Sequence, residues 1–285
     1  MIKRYISLIK FSHTVFALPF ALIGFCLAIS YAGKLFLWED LIYVILCMIF
    51  ARNSAMAFNR YIDRKIDTAN PRTAKIREIP NGKIHANSAL IFVLINSLLF
   101  VLSAYFLNWI CLALSPIALA VILGYSYTKR FTSLCHFILG LGLSLSPIGA
   151  YLAVTAEFDI LPLLFSTVVL LWVSGFDIIY ALQDEDFDKK YHLHSIPVWL
   201  GKRNALKMSR TLHLATSLII IGIGINYFPL SPLYSVASIL FIGLLINQQR
   251  LVKINDLSKI NMVFFTNNGI ASISFGLLVI IDLLV

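Results

Sequence analysis

The chain has 285 residues, 59% of them apolar and only 13% charged, and its mean hydropathy is +0.86. Soluble domains carry about 25% charged residues, so an ordinary soluble enzyme is excluded and a polytopic membrane protein is predicted, one domain over 1–285. The formal net charge of +9 has to be read by position in such a protein before any nucleic-acid partner is invoked.

Apolar runs long enough to cross ~30 Å of hydrocarbon recur at 14–32, 41–58, 88–107, 109–127, 134–153, 160–181, 206–226, 231–248 and 262–284. They predict an all-α bundle of nine transmembrane helices in a lipid bilayer. No small-residue cleavage site follows the first run, which therefore reads as a span and not as a signal peptide. Tight turns at Leu107-Asn108 and Phe228-Pro229 join neighbouring spans on one side. Of the 23 lysines and arginines, all except Lys34 and the in-span Arg52 fall on the other side, with the N-terminus. By the positive-inside rule the N-terminus and every long loop are cytoplasmic. Topology thus accounts for the positive balance, and no nucleic acid is expected.

Cys26, Cys47, Cys111 and Cys135 are scattered singly through apolar segments, as buried small residues are. Pro19, Pro116 and Pro147 fall within spans, where kinks that open a cavity are expected because neighbouring helices absorb the freed backbone groups.

Charge concentrates at two places. At the inner end of span two, Asn59, Asp63 and Asp67 recur every four residues, so on a helix their oxygens share one face. Hard oxygen donors so arranged suit Mg²⁺, which binds through one or two carboxylates plus substrate phosphates and keeps several waters. At the end of span six, Asp177, Tyr180, Asp184 and Asp188 recur at steps of three and four. Carboxylates at the mouth of a membrane helix are expensive and functional by default, and at a helix C-terminus the dipole disfavours them unless a cation compensates. Spans two and six run in the same direction and both end in spaced carboxylates, a weak internal repeat that faces two similar helix ends across a cavity. Arg64, Arg72, Lys129 and Arg130 surround them. A diphosphate clamped by Mg²⁺ fits both signs of charge. Presented to a membrane cavity, that diphosphate is the head of an isoprenoid, and apolar walls would keep water from the allylic cation left by its departure.

Two other classes use the same residues. A cation carrier or secondary transporter would pass ions along the carboxylates, although such sites sit near the bilayer midplane. A polyprenyl-diphosphate hydrolase would use water as acceptor. His136 and His213 have no partners in sequence and read as structural, and His194 reads as ordering the loop between spans six and seven. Trp172, Phe176 and Tyr180 are candidates to line an acceptor pocket, against the simpler reading of packing.

The Asn59-x-x-x-Asp63-x-x-x-Asp67 run resembles the first aspartate-rich motif of the UbiA superfamily of intramembrane prenyltransferases, and Asp177-x-x-Tyr180-Ala181-x-x-Asp184-x-x-x-Asp188 resembles its second. The likeness spans the whole chain and implies that family's nine-helix fold. It implies transfer of a polyprenyl chain from polyprenyl diphosphate to an aromatic acid acceptor such as 4-hydroxybenzoate, in the bacterial inner membrane, within ubiquinone or menaquinone biosynthesis. Asn59, Asp63, Asp184 and Asp188 would hold Mg²⁺, Asp67 would support them, and Lys129, in Tyr125-Ser126-Tyr127-Thr128-Lys129-Arg130, would contact diphosphate. Asp177 stands where the family places a carboxylate near the acceptor, to aid ring activation or proton removal. Arg60 replaces the Asp that often follows the motif's Asn, and His192 a Gly. His13, with Lys10 one turn earlier, stands where 4-hydroxybenzoate enzymes tend to carry Asp-Arg-Pro, so both join Asp177 and Tyr180 as acceptor-binding candidates. The strings His13 to Ala21, Ala55 to Arg60, Asn70 to Ala74 and Leu193 to Pro197 look like the MqnP branch, which prenylates 1,4-dihydroxy-6-naphthoate.

Overall fold

The computed structural model describes residues 5, 7, 8, 16–254 and 256–285. Among them the chain is helical throughout, as a bilayer requires where no water can satisfy exposed backbone groups. Only a single bridge between Lys253 and Asp256 departs from helix and loop. The long helices are α1 (Leu18–Ser30), α2 (Trp38–Ile62) and, after two short segments α3 (Arg64–Ala69) and α4 (Pro71–Ala74), α5 (Ala86–Leu107). There follow α6 (Trp109–Thr128), α7 (Cys135–Thr155), α8 (Ile160–Ala181), the short α9 (Glu185–Lys190), α10 (Ile196–Tyr227) and α11 (Pro232–Leu251). A turn at Ile260–Met262 and a π-helical stretch at Val263–Asn267 lead into α12 (Asn268–Leu284). Among the described residues eight helical stretches are long and apolar enough to cross a membrane, and α1 is a shorter apolar helix. Among the described residues, helices stand at all nine expected places, eight of them of spanning length. The protein is an integral membrane protein.

Local chemistry sets the boundaries. Asn108 ends α5 and starts α6: its Oδ1 accepts the Cys111 N–H at 2.9 Å, and its Nδ2 donates to the carbonyls of Leu152 and Ala153 at 2.8 and 3.0 Å. One side chain thus caps a helix start and pins the turn to the end of α7. Ser231 caps α11 in the same way and donates to Asp282 at 2.6 Å, tying the turn after α10 to the chain's last helix. Pro116 and Pro147 lie inside α6 and α7 as expected. Pro19 differs: it stands in the first turn of α1, where its missing N–H costs nothing. Seventh-span expectations also shift. The segment 196–200 already coils, Gly201 breaks it with φ 75°, and the spanning part of α10 follows.

The core sits around α8, whose Phe165, Trp172, Val173 and Phe176 are buried against Phe20 of α1, Phe241 of α11 and Phe275 of α12. Trp172 Nε1 donates to Asn268 Oδ1 at 3.2 Å. Trp172 and Phe176 are therefore packing residues, which corrects the alternative that they line the acceptor pocket. Membrane helices lack a hydrophobic force between them and pack through small residues. At Gly24 of α1 a Cβ would lie 2.0 Å from the Pro147 carbonyl oxygen, so only glycine permits that approach. Gly24→Ala is expected to lower stability by about 1–3 kcal/mol, read as a lower melting temperature in detergent. Gly222→Ala, with open space around it, is the control and should not fall.

Candidate active site

Helix α2 stops at Ile62, and Asp63 (φ −86°, ψ 5°) is the hinge to α3. The Asp63 N–H still donates to Asn59 O at 2.9 Å and the Asp67 N–H to Asp63 O at 2.7 Å, so the four-residue register carries across the break. Asn59 Nδ2 donates to Asp63 Oδ2 at 2.9 Å, while Arg130, at the end of α6, donates to Asp63 Oδ1 at 2.8 Å. Asp67 is buried and pairs with Arg77. Burial pushes the Asp63 carboxyl above the ordinary carboxylate range, and the Arg130 guanidinium opposes that rise without cancelling it.

The second cluster is not one continuous helical face. Helix α8 ends at Ala181, Leu182–Asp184 tighten into a 3₁₀ turn, and α9 begins at Glu185. The dipole explains the break. An acidic run at the C-terminus of α8 is disfavoured, whereas Glu185, Asp186 and Asp188 in the first turn of a new helix are favoured. Asp184 stands at the junction and receives Arg72 through two bonds, Nε to Oδ1 at 3.0 Å and Nη2 to Oδ2 at 2.5 Å. Arg72 also donates to the Tyr180 hydroxyl at 3.0 Å, and Asn70 Nδ2 reaches Asp184 at 3.3 Å. The segment after α2 is thereby bolted to the end of α8. Asp188 is fully buried and meets Lys129 Nζ at 2.8 Å. Burial would lower the Lys129 ammonium, but the charge and hydrogen bond of Asp188, with the nearby Asp184 charge, together outweigh it and hold the group above its ordinary range.

Four carboxylates, Asp63, Asp67, Asp184 and Asp188, are thus each matched to a cation from another segment: Arg130, Arg77, Arg72 and Lys129. Arg72, Lys129 and Arg130 stand where the sequence put them. Arg64 does not: it folds back over the Tyr61 ring and donates to Tyr61 O, because from the first position of α3 its own preceding carbonyl is the nearest acceptor. Arg77 was not singled out in the sequence, where it is one of several bases in a basic loop; only the fold brings it to Asp67. Among the described residues no three acidic, histidine or cysteine side chains gather tightly enough to hold an ion by themselves. Lys10 and His13 lie outside the described residues.

Asp177 lies one turn before the end of α8, with its side chain 20% exposed. His136 is the correction here. It has a partner after all, Asp177 Oδ2 at 2.7 Å from Nδ1. His213 likewise meets Gln249 at 2.9 Å, in a buried contact between α10 and α11, with its ring against Gly175 of α8. His194 lies in the loop before α10, its backbone N–H donating to Lys129 O at 2.8 Å.

Beside the clusters a cavity of about 380 Å³ runs between α2, α5, α6 and α7. Val44, Phe100, Leu114 and Ile148 line it, and along α2 it extends from Ala55, one turn from Asn59, to Val44, about 16 Å at 1.5 Å per residue. Its walls are almost wholly apolar, with Arg52 and Tyr125 among the polar exceptions. Arg52 Nε is buried without an acceptor. Tyr125 lies within electrostatic reach of Arg52, Asp63, Arg60 and Asp177, which places this end of the cavity beside the carboxylates. The available signal for Arg52 was its position: a lone arginine inside an apolar span is a functional site by default.

Comparison with known proteins agrees with this arrangement. Residues 17–269 match the UbiA prenyltransferase family. A 4-hydroxybenzoate octaprenyltransferase of Vesicomyosocius okutanii is 31% identical over 235 residues, covering 82% of this chain and 85% of the relative. One from Tolumonas auensis is 32% identical over 232 residues, covering 79% and 78%. Among solved structures, the apo form of a UbiA homologue from Aeropyrum pernix superposes with a TM-score of 0.84 at 33% identity, covering 95% of this chain and 98% of that one. A UbiA homologue from Archaeoglobus fulgidus, solved with DMAPP and Mg²⁺, has a TM-score of 0.74 at 19% identity, covering 97% and 99%, and shares the fold. Membrane helices, paired acidic helix ends and family match converge, and the chain belongs to the UbiA prenyltransferase family.

Proposed function

We propose that this protein transfers a polyprenyl chain from its diphosphate to a hydroxylated aromatic acid at the cytoplasmic face of the membrane. The observation that carries this reading is the set of four carboxylates and four cations, paired one to one beside an apolar cavity. A magnesium diphosphate carries both signs of charge and can exchange with such pairs. Cations released from carboxylates take phosphate oxygens, and the carboxylates are then free for metal. The donor set fits Mg²⁺: the oxygens of Asn59, Asp63, Asp184 and Asp188 are hard, and buried Asp188 faces a lysine that a phosphate can draw away. No tight cage of three carboxylates is needed, since this ion binds through one or two carboxylates plus phosphates and water. When bound, it supplies Lewis-acid neutralisation of the leaving diphosphate. The relatives named as 4-hydroxybenzoate octaprenyltransferases and the neighbour solved with DMAPP and Mg²⁺ support the same substrate class.

The remaining chemistry falls to the chain. Arg72, Lys129 and Arg130 hold the diphosphate while the cavity encloses the tail and keeps water out. The bond from prenyl C1 to diphosphate oxygen breaks with its electron pair going to oxygen, and a ring carbon of the acceptor supplies the pair for the new C–C bond. Asp177 accepts the phenolic proton as the ring attacks. The released diphosphate then takes the ring proton, Asp177 returns the phenolic one, and aromaticity is restored. Arg52, with its unpartnered Nε, is placed to receive the acceptor's carboxylate.

The test is purified protein in detergent with Mg²⁺, a long-chain polyprenyl diphosphate and, in parallel, 4-hydroxybenzoate or 1,4-dihydroxy-6-naphthoate, with products identified by mass. Prenylated 4-hydroxybenzoate places the protein with its named relatives; prenylated naphthoate alone assigns it to the menaquinone route that the strings around His13 and Leu193 resemble. Diphosphate release with water as the only acceptor would replace the transferase reading by hydrolysis.

A further inference from the structure

We infer that His136 is the positioning residue for Asp177, and that it couples the loop before α10 to the acceptor side of the site; this rests on the prenyl transfer proposed above. His136 lies in the first turn of α7 with its side chain only 4% exposed. Both ring nitrogens are engaged. Nδ1 lies 2.7 Å from Asp177 Oδ2, and the backbone N–H of Ile196 points at Nε2 from 3.3 Å. A backbone N–H can only donate, so Nε2 presents its lone pair and the ring proton sits on Nδ1. His136 therefore donates to Asp177. Among the described residues no other side chain donates to that carboxylate, so Oδ1 is the oxygen that would meet the acceptor hydroxyl.

The backbone that carries the ring is closely packed against α8. Ser174 Oγ, one turn before Asp177 on α8, lies 3.3 Å from the His136 carbonyl while its hydroxyl also reaches Leu170 O at 2.7 Å, so it sits at the contact between the two helices. Gly140, one turn further along α7, has no room for a Cβ against Leu170 O and Ser174 Oγ, so α7 and α8 approach closely just beyond the pair. The loop that delivers the Ile196 N–H also delivers the Leu193 N–H to Asp188 O at 2.9 Å and the His194 N–H to Lys129 O at 2.8 Å. One short segment, Leu193-His194-Ser195-Ile196, thus braces the diphosphate-side pair Lys129–Asp188 and, through His136, the acceptor-side carboxylate. A carboxylate held by one oxygen loses the freedom to swing away from the acceptor, which is how an orienting neighbour raises turnover without touching substrate.

The test compares His136→Gln, which keeps a neutral N–H donor, with His136→Met and His136→Phe, which fill similar space without one. Two apolar variants are used so that a folding defect in one leaves the other; melting temperature in detergent and the KM for polyprenyl diphosphate report on the fold. The expected result is a fall in kcat of about 10–100-fold for the apolar variants, the range for losing an orienting partner. The KM for polyprenyl diphosphate stays unchanged, and His136→Gln recovers most of the rate. In an Asp177→Asn background His136→Met should cost little more, because the two residues act as a unit. Wild-type turnover in His136→Met or His136→Phe overturns the inference, as does a His136→Gln variant no better than the apolar pair. So does a full multiplicative loss in the double variant. If the wild-type protein prenylates no aromatic acid, the proposed function fails before any variant is compared, and this inference with it.

Discussion

Asp184→Ala is expected to abolish prenyl transfer, a loss on the order of 10²–10³-fold or more in kcat, of the size seen when a preorganised transition-state contact is removed, in a protein that still inserts and folds. Folding survives because the partner is not trapped: the Arg72 side chain is 33% exposed and can hydrate once released. Activity does not survive, because Asp184 is the point where the segment after α2 meets the end of α8. A sceptic would say that the variant merely breaks an ion pair. The double variant Asp184→Asn with Arg72→Gln separates the two views. Removing both members of a structural pair is often neutral, whereas removing one is costly. If Asp184 serves only Arg72, the double variant recovers activity. If Asp184 holds metal and Arg72 holds phosphate, each substitution removes a separate contact to the same group and the double variant stays dead. Substantial turnover in Asp184→Ala alone, at ordinary Mg²⁺ concentrations, would sink the metal assignment outright.

The pairing also explains which parts of the site a sequence can display. Span positions follow from apolar length alone, so α2, α5, α6, α7, α8 and α11 begin and end close to their expected places. Asp63 and Asp184 stand out because charge is rare in this chain and recurs at helical spacing. The continuation of that spacing misleads. Asp63 and Asp184 turn out to be hinges: at Glu185 the dipole favours starting a new short helix with an acidic first turn over prolonging α8, whereas the break at Asp63 opens on the cations Arg64 and Lys65 and has no such cause. Residues that matter through tertiary contact leave little trace. Arg77 looks like any loop cation until Asp67 is opposite it, and His136 looks solitary because Asp177 lies on another helix. Arg64 is the converse, a cation beside the motif that folds onto Tyr61. Arg52 was legible in principle, as a base deep inside an apolar span, yet its meaning depends on a cavity that no periodicity measures.

Arg52→Leu is the second large effect expected, and it separates affinity for the acceptor from affinity for the prenyl donor. Truncating one partner of a desolvated charge pair costs about 2–5 kcal/mol. The KM for the aromatic acid should therefore rise on the order of 10²-fold, while the KM for polyprenyl diphosphate, held by Arg72, Lys129 and Arg130, stays as it was. Stability should move the opposite way. Arginine at the centre of a span is unfavourable by about 2.5–3.5 kcal/mol, whereas leucine is slightly favourable, so the variant should melt no lower than the parent. A side chain whose removal helps the fold and harms one substrate is retained for that substrate. Arg52→Lys should restore little, because an ammonium cannot reproduce the planar fork that meets a carboxylate through two bonds. An acceptor lacking its carboxyl group, such as the parent phenol, should lose in the wild type what the acid loses in Arg52→Leu, and should be indifferent to the substitution. If the acid's KM is unmoved in Arg52→Leu, the carboxylate lies elsewhere, and residues 9–15, which carry Lys10 and His13, become the segment to test.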